Sequence, residues 1–168
     1  MASRLAPLGG SETVPAERAL GRVTFAAIRV DGPLPAFPRS AMDGFAVRAA
    51  ETFGASDAAP AYLRLAGEVP MGAVARGALP ERAAIRVHTG SMLPPGADAV
   101  VIVEQTNLRG TDIEVLRAVG RGENAIAVGE DVRAGDMVVG PGHVLRAQDL
   151  GALHAIGAMR VAVYRRPR

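Results

Sequence analysis

The run Pro35-Ala36-Phe37-Pro38-Arg39-Ser40-Ala41-Met42-Asp43-Gly44-Phe45-Ala46-Val47 sets a hydroxyl, a carboxylate and a glycine between two prolines and an apolar stretch. Each proline fixes its own φ and pushes the residue before it toward extended geometry. Gly44 is able to take the positive φ that a turn ahead of a strand requires. The sequence therefore predicts a stiff corner presenting Ser40 and Asp43 at a surface, and loops held stiffly on a scaffold are where binding chemistry concentrates. Ser-x-x-Asp beside a glycine is also ordinary turn chemistry, in which both side chains satisfy nearby backbone groups. Spacing alone favours the plainer reading.

The rest of the composition narrows the chemistry by exclusion. The chain has no cysteine, which removes disulfides, thiol catalysis and cysteine-ligated metals. All 19 basic residues are arginine, so neither a P-loop lysine nor a Schiff-base lysine is present. A net charge of only +2, basic residues spread along the chain and 4% aromatic residues argue against a nucleic-acid partner. His88, His143 and His154 lie far apart with no metal-ligand spacing, and His88, beside Thr89, reads as a strand-end residue facing solvent. No apolar stretch has the length of a bilayer span and the start lacks a signal-peptide core, so the expectation is no membrane and a cytoplasmic protein.

The elements that must position the corner read as mostly strand. Short apolar runs between many glycines and prolines predict a mainly β protein with a few helices, in a sheet-rich or barrel-like arrangement. Residues 1–12 read as frayed. Thr13 and Pro15 predict a short helix over Ala16 to Leu20, stopped at Gly21. Val23 to Val30 reads as extended up to the Asp31-Gly32-Pro33 turn, and residues 49–60 as a small-residue loop. Strands are predicted from Phe45, around Tyr62 to Leu65, over Ala84 to His88 with Ile85 and Val87 on one face, along Asp98 to Glu104, around Ile113 to Leu116 and over Met137 to Val139. Leu150, Leu153 and Ile156 recur at helical spacing over Arg146 to Ala158, with Asp149 in the first turn and Gly157 after the last apolar contact. Arg160 to Tyr164 reads as a closing strand.

Several blocks, in order, resemble one known family. Ser40-Ala41-Met42-Asp43-Gly44-Phe45-Ala46-Val47 is similar to the signature of the MoeA family, the molybdopterin molybdenumtransferases, which includes the E domain of gephyrin. Ala19-Leu20-Gly21-Arg22-Val23 resembles the family's lead-in. Arg86-Val87-His88-Thr89-Gly90-Ser91-Met92-Leu93-Pro94-Pro95-Gly96-Ala97-Asp98-Ala99-Val100-Val101 resembles its Thr-Gly and Pro-x-Gly-Ala-Asp-Ala-Val block. Glu104-Gln105-Thr106 and Gly129-Glu130-Asp131-Val132-Arg133-Ala134-Gly135-Asp136 follow in the family's order. Ordered blocks over about residues 15–168 are far more specific than any single motif.

The resemblance implies the family's first two domains: an elongated lobe built from residues 1–32 and 129–168, and a β-rich lobe inserted at 33–128. It implies a part in molybdenum cofactor biosynthesis, in which molybdate enters the dithiolene of adenylylated molybdopterin and AMP leaves. The family's functional positions fall on Asp43, Thr89 and Asp131. Ser40, Gly90, Ser91 and Glu104 are implied as substrate-binding, with the Gly90 and Ser91 amides able to form an anion nest. Bare carboxylates repel a pyrophosphate and an oxyanion, so Asp43 and Asp131 call for Mg²⁺ as an intermediary or for pterin N–H donors. The resemblance also implies a homodimer, and a molybdopterin-binding domain that is either separately encoded or missing, without which this chain is expected to be inactive. Asn124-Ala125-Ile126-Ala127-Val128 departs from the family, which typically carries arginines there, and this removes bidentate oxyanion donors. The alternative is a non-catalytic dimerisation or scaffold module of the same fold.

Overall fold

The structure, a computed structural model, describes residues 9–166. Twelve strands and one α-helix are present among them. The strands are β1 (Ser11–Pro15), β2 (Ile28–Arg29), β3 (Arg39–Ser40), β4 (Gly44–Val47), β5 (Ala61–Val69) and β6 (Ala83–Val87). They continue with β7 (Ala99–Ile102), β8 (Thr106–Arg109), β9 (Asp112–Val115), β10 (Ala125–Ile126), β11 (Met137–Val139) and, after helix α1 (Ala147–Ala155), β12 (Arg160–Tyr164). The mainly β class predicted from the sequence is what forms. The chain divides into two compact units, one from residues up to Leu34 together with those from Asp131 onward, the other Pro35–Glu130.

The Pro35–Glu130 unit is built on a six-stranded sheet in the order β7-β4-β6-β5-β9-β8, antiparallel except where β5 runs parallel to β6. Both faces are covered. Phe45, Val47, Ala84, Val101, Ile113 and Val115 pack on one, and Ala46, Ile85, Val87 and Val100 on the other. This explains the uninterrupted apolar runs of β4 and β7, since a strand buried on both faces has no solvent side for polar residues. The β7 run ends earlier than the sequence suggests: after Ile102 the chain turns into a 3₁₀ turn, Val103–Gln105, with Val103 exposed. A second 3₁₀ turn, Ala49–Thr52, opens what reads as a plain loop, with Ala49 and Thr52 buried. Its first N–H is taken by Asp98 Oδ1 at 2.7 Å, while Asp98 Oδ2 accepts from Arg121 at 2.9 Å. The Asp of the Pro-x-Gly-Ala-Asp-Ala-Val block is therefore a structural tie.

In the terminal unit, β1 pairs antiparallel with β12 over five residues, and β2 pairs with β11. Here the sequence reading needs correction. Thr13 lies inside a strand rather than capping a helix, and the helix shrinks to a 3₁₀ turn at Ala16–Arg18. A five-residue ladder to a partner more than a hundred residues away overrides a weak local capping signal. Val23 to Val30 is also not one strand, because Val23 and Thr24 bridge to Val144 and Val163 and only Ile28–Arg29 pairs as a ladder. Helix α1 and β12 form where the apolar spacing places them. Leu153 is fully buried with Ala19, Val139, Leu145, Val161 and Val163, and Asp149 caps the helix by accepting the Arg146 N–H at 2.8 Å.

Candidate functional site

The corner at Ser40–Asp43 is gripped by backbone from three directions. Ser40 gives its N–H to the Ser91 carbonyl at 2.9 Å and accepts the Gly90 N–H at 2.8 Å. Ala41 donates to the Asn124 carbonyl at 2.9 Å, and β3 pairs with β10 through Ser40 opposite Ala125 and Arg39 opposite Ile126. Val103 donates to the Asp43 carbonyl at 3.1 Å. The corner is as stiff as its prolines suggest, but most of the rigidity comes from chain segments 50 to 87 positions away, as the pairings just given show. Asn124 stands at φ +56°, a backbone state asparagine tolerates, and its side-chain amide caps the Val100 carbonyl at 2.9 Å. The segment that departs from the family's arginines thus props the corner from behind.

Gly44 does not have the positive φ foreseen for it. It is needed for space: a Cβ there would stand 2.1 Å from the Val101 carbonyl oxygen on the neighbouring strand. Glycine is the residue that lets two backbones approach so closely.

Asp43 is exposed, and its Oδ1 accepts both the Thr89 N–H at 2.7 Å and the Thr89 hydroxyl at 3.1 Å. Those two bonds, with the N–H the stronger cause, hold the Asp43 carboxyl below the usual carboxylate range, helped by the charges of His88 and Arg86 against the opposing effect of desolvation. Thr89 sits in a tight turn closed by the Ser91 N–H on the His88 carbonyl at 2.8 Å, with Gly90 at φ +84°. Asp43 and Thr89 are therefore joined directly across 46 positions of sequence.

The other expected residues are placed differently. Ser40 is fully buried, not presented at a surface, and its hydroxyl bonds the Met42 carbonyl. Ser91 is also buried, with its hydroxyl on the Val69 carbonyl at 3.3 Å. The Gly90 and Ser91 amides are spent on the Ser40 and His88 carbonyls, so the anion nest they were expected to form is not there. Glu104 is exposed and lines a different pocket, with Ser56, Asp57, Gln105 and Arg117. Asp131 belongs to the other unit, exposed, with its N–H on the Leu34 carbonyl at 3.1 Å.

The sequence reading gives no role to Arg86 or Glu68 and places His88 at a strand end facing solvent. Asp43, Arg86 and His88 line a pocket of about 130 Å³ with Gly44, Phe45, Val87 and Val103. Arg86 stands opposite Phe45 on β4 and opposite Glu68 on β5, so one sheet face that is apolar at Ala84 and Phe45 turns polar at its end. His88 does not simply face solvent: its Nε2 meets Glu68 Oε1 at 2.7 Å. Glu68 is delivered by an irregularity in β5, where the pairing register shifts and Gly67 takes φ +143°. The available signal was period two, since Arg86 and His88 follow Ala84 at alternate positions of a strand. No group of three or more His, Cys, Asp or Glu side chains among the described residues is placed to hold a metal ion.

A family model described as the MoeA N-terminal region (domain I and II) matches residues 1–157. The chain belongs to that family. It is similar to molybdopterin molybdenumtransferase 2 of Mycobacterium tuberculosis, 35% identical over 156 residues that make up 93% of this chain and 38% of that protein. It is similar also to the molybdopterin molybdenumtransferase of Staphylococcus epidermidis, 31% identical over 151 residues, 90% of this chain and 36% of that one. The crystal structure of the molybdopterin biosynthesis moeA protein from Pyrococcus horikoshii OT3 matches with a TM-score of 0.89 at 40% identity, covering 96% of this chain and 42% of that one. The MoeA N-terminal chain thus spans about two fifths of the length of such relatives. No helix among its described residues is long and apolar enough to cross a membrane.

Proposed function

We propose that this chain supplies the two N-terminal lobes of a molybdopterin molybdenumtransferase and serves molybdenum cofactor biosynthesis, contributing to the insertion of molybdate into adenylylated molybdopterin. The observation that carries this reading is the double hydrogen bond from Thr89 to Asp43, in a chain that belongs to the family and whose relatives bear that name. It joins two of the three sequence blocks on which the family's functional positions fall. In this reading Asp43 meets the substrate through its second oxygen, Oδ2, which takes no hydrogen bond among the described residues. Thr89 acts through Asp43, fixing the carboxylate and keeping it charged. Ser40, Gly90 and Ser91 build the corner rather than touch substrate. Asp131 and Glu104 are the further acidic positions.

The residues present do not suit a resident Mg²⁺ in the inserted unit. Asp43 offers one open oxygen, Glu68 is engaged on His88, and Glu104 lines another pocket. No step is therefore assigned to the metal. A molybdopterin-binding domain, on the same polypeptide or separately encoded, completes the pocket, and the chain alone does not turn over. The protein works as a homodimer in the cytoplasm. A scaffold role of the same fold is the second reading, favoured by Asn124–Val128, which carries structural contacts where relatives typically have arginines.

The test is molybdate-dependent AMP release from adenylylated molybdopterin, measured with this chain, with a molybdopterin-binding domain, and with both. The proposal expects release only from the mixture. No release from a mixture that nevertheless associates would move the chain to the scaffold reading.

A further inference from the structure

Glu68 owes its place to one extra residue in β5. Between the paired positions Leu65–Ala84 and Glu68–Arg86, β5 takes three steps where β6 takes two. In a regular strand Leu65 and Val69, four positions apart, share a face. Here Leu65 packs with Phe45 and Ala84, while Val69 is buried on the other side of the sheet with Ala46 and Val87. A one-residue insertion turns every later side chain over. Gly67 absorbs it at φ +143°, a backbone state that is almost confined to glycine. The inversion buries Val69 and sets Glu68 opposite Arg86, on the face that carries Phe45 and His88. Bulges that re-aim one side chain are over-represented beside active sites.

From there the end of β5 holds both ends of one turn. Glu68 Oε1 meets His88 Nε2 at 2.7 Å, and the Val69 carbonyl accepts the Ser91 hydroxyl at 3.3 Å. Between these anchors the His88–Ser91 turn aims its second residue, Thr89, whose N–H and hydroxyl both reach Asp43 Oδ1. An ionised carboxylate only accepts, so Nε2 carries the proton in this contact and the bond fixes how the ring lies. We propose that Glu68 is a positioning residue, which through His88 keeps the turn seated so that Thr89 stays on Asp43. It acts at one remove from Asp43, and its bearing on the reaction rests on the reading that Asp43 meets the substrate. Glu68 is 50% exposed and His88 31%, so the contact supplies a small factor rather than a large one.

The experiment measures water exchange of the Thr89 amide by NMR, at one fixed pH, in the wild-type chain, Glu68→Ala, Glu68→Gln, His88→Ala and the double variant Glu68→Ala/His88→Ala. Molybdate-dependent AMP release is then measured for each in the mixture with a molybdopterin-binding domain. The proposal expects Glu68→Ala to speed the exchange about threefold, the factor one partly exposed hydrogen bond supplies. Glu68→Gln keeps an acceptor oxygen and recovers most of that loss. The double variant exchanges no faster than His88→Ala, because the two residues act in one line of contacts. AMP release falls in the same order. Unchanged Thr89 exchange in folded Glu68→Ala, or additive effects in the double variant, would overturn the proposal. So would full release by Glu68→Ala from a mixture in which Asp43→Asn has lost it. No release from the wild-type mixture, or full release by Asp43→Asn, instead refutes the reading of Asp43, and the exchange rates then decide the role of Glu68 by themselves.

Discussion

Replacing Gly44 by alanine puts the packing argument under the heaviest load. The added methyl would stand 2.1 Å from the Val101 carbonyl oxygen, 2.9 Å from its carbon and 3.0 Å from the Ile102 Cα. Carbon and oxygen rest at about 3.3 Å, so β4 and β7 must part by roughly 1 Å at this point. Gly44 lies opposite Ile102 where β4 pairs with the edge strand β7, and both faces of the sheet are packed, so the strain falls on the β4–β7 ladder itself. Overpacking costs about 1–3 kcal/mol and each weakened ladder bond about 1 kcal/mol, giving a loss on the order of 3–5 kcal/mol. That is a large fraction of a domain's stability and lowers the melting temperature by on the order of 10 °C. Urea unfolding followed by circular dichroism measures it. Gly90→Ala is the control: open space surrounds that position, so only its φ of +84° is penalised, at about 1–2 kcal/mol. A Gly44→Ala loss under 1 kcal/mol, or smaller than that of Gly90→Ala, would refute the reasoning.

Thr89→Val removes the hydroxyl bond to Asp43 but keeps the stronger N–H bond, so the Asp43 pKa rises part of the way toward the usual carboxylate range, read by carbon-detected NMR titration. Because the folded value is depressed, the stabilising contribution of Asp43 is present above the unfolded pKa of about 3.9 and fades as pH falls through the folded value; the valine variant shows less of this acid loss. Asp98→Ala leaves the Ala49 N–H without its acceptor and lowers stability by about 1–2 kcal/mol in urea unfolding, whereas Arg121→Gln changes it by under about 0.5 kcal/mol, since Arg121 is 85% exposed.

What was legible in the sequence follows how locally each feature is determined. Helix α1 and strand β12 stand where their apolar spacing puts them, because one short segment carries both the pattern and the caps. Strand β8 went unread because it is an edge of the sheet: of Thr106, Asn107, Leu108 and Arg109 a single residue is apolar, and that one is exposed. Strand β1 was mistaken for a helix start because its partner, β12, lies at the other end of the chain. Gly44 was recognised as special for the wrong reason, since a close approach by another strand leaves no mark beside it in sequence. Asp43 and Thr89 were named through resemblance; no spacing rule joins residues 46 positions apart. Glu68 needed the β5 irregularity at Gly67 to reach His88, and no pattern foretells such a shift of register.

The central claim is that Asp43, steadied by Thr89, is what the inserted unit brings to the reaction. Asp43→Asn keeps the size of the side chain and the exposed position, so circular dichroism should show an unchanged fold. In the mixture with a molybdopterin-binding domain, this variant is predicted to lose molybdate-dependent AMP release by on the order of a hundredfold, as expected when a positioned polar group at a reacting centre is removed. Release at the wild-type rate from correctly folded Asp43→Asn would contradict the account.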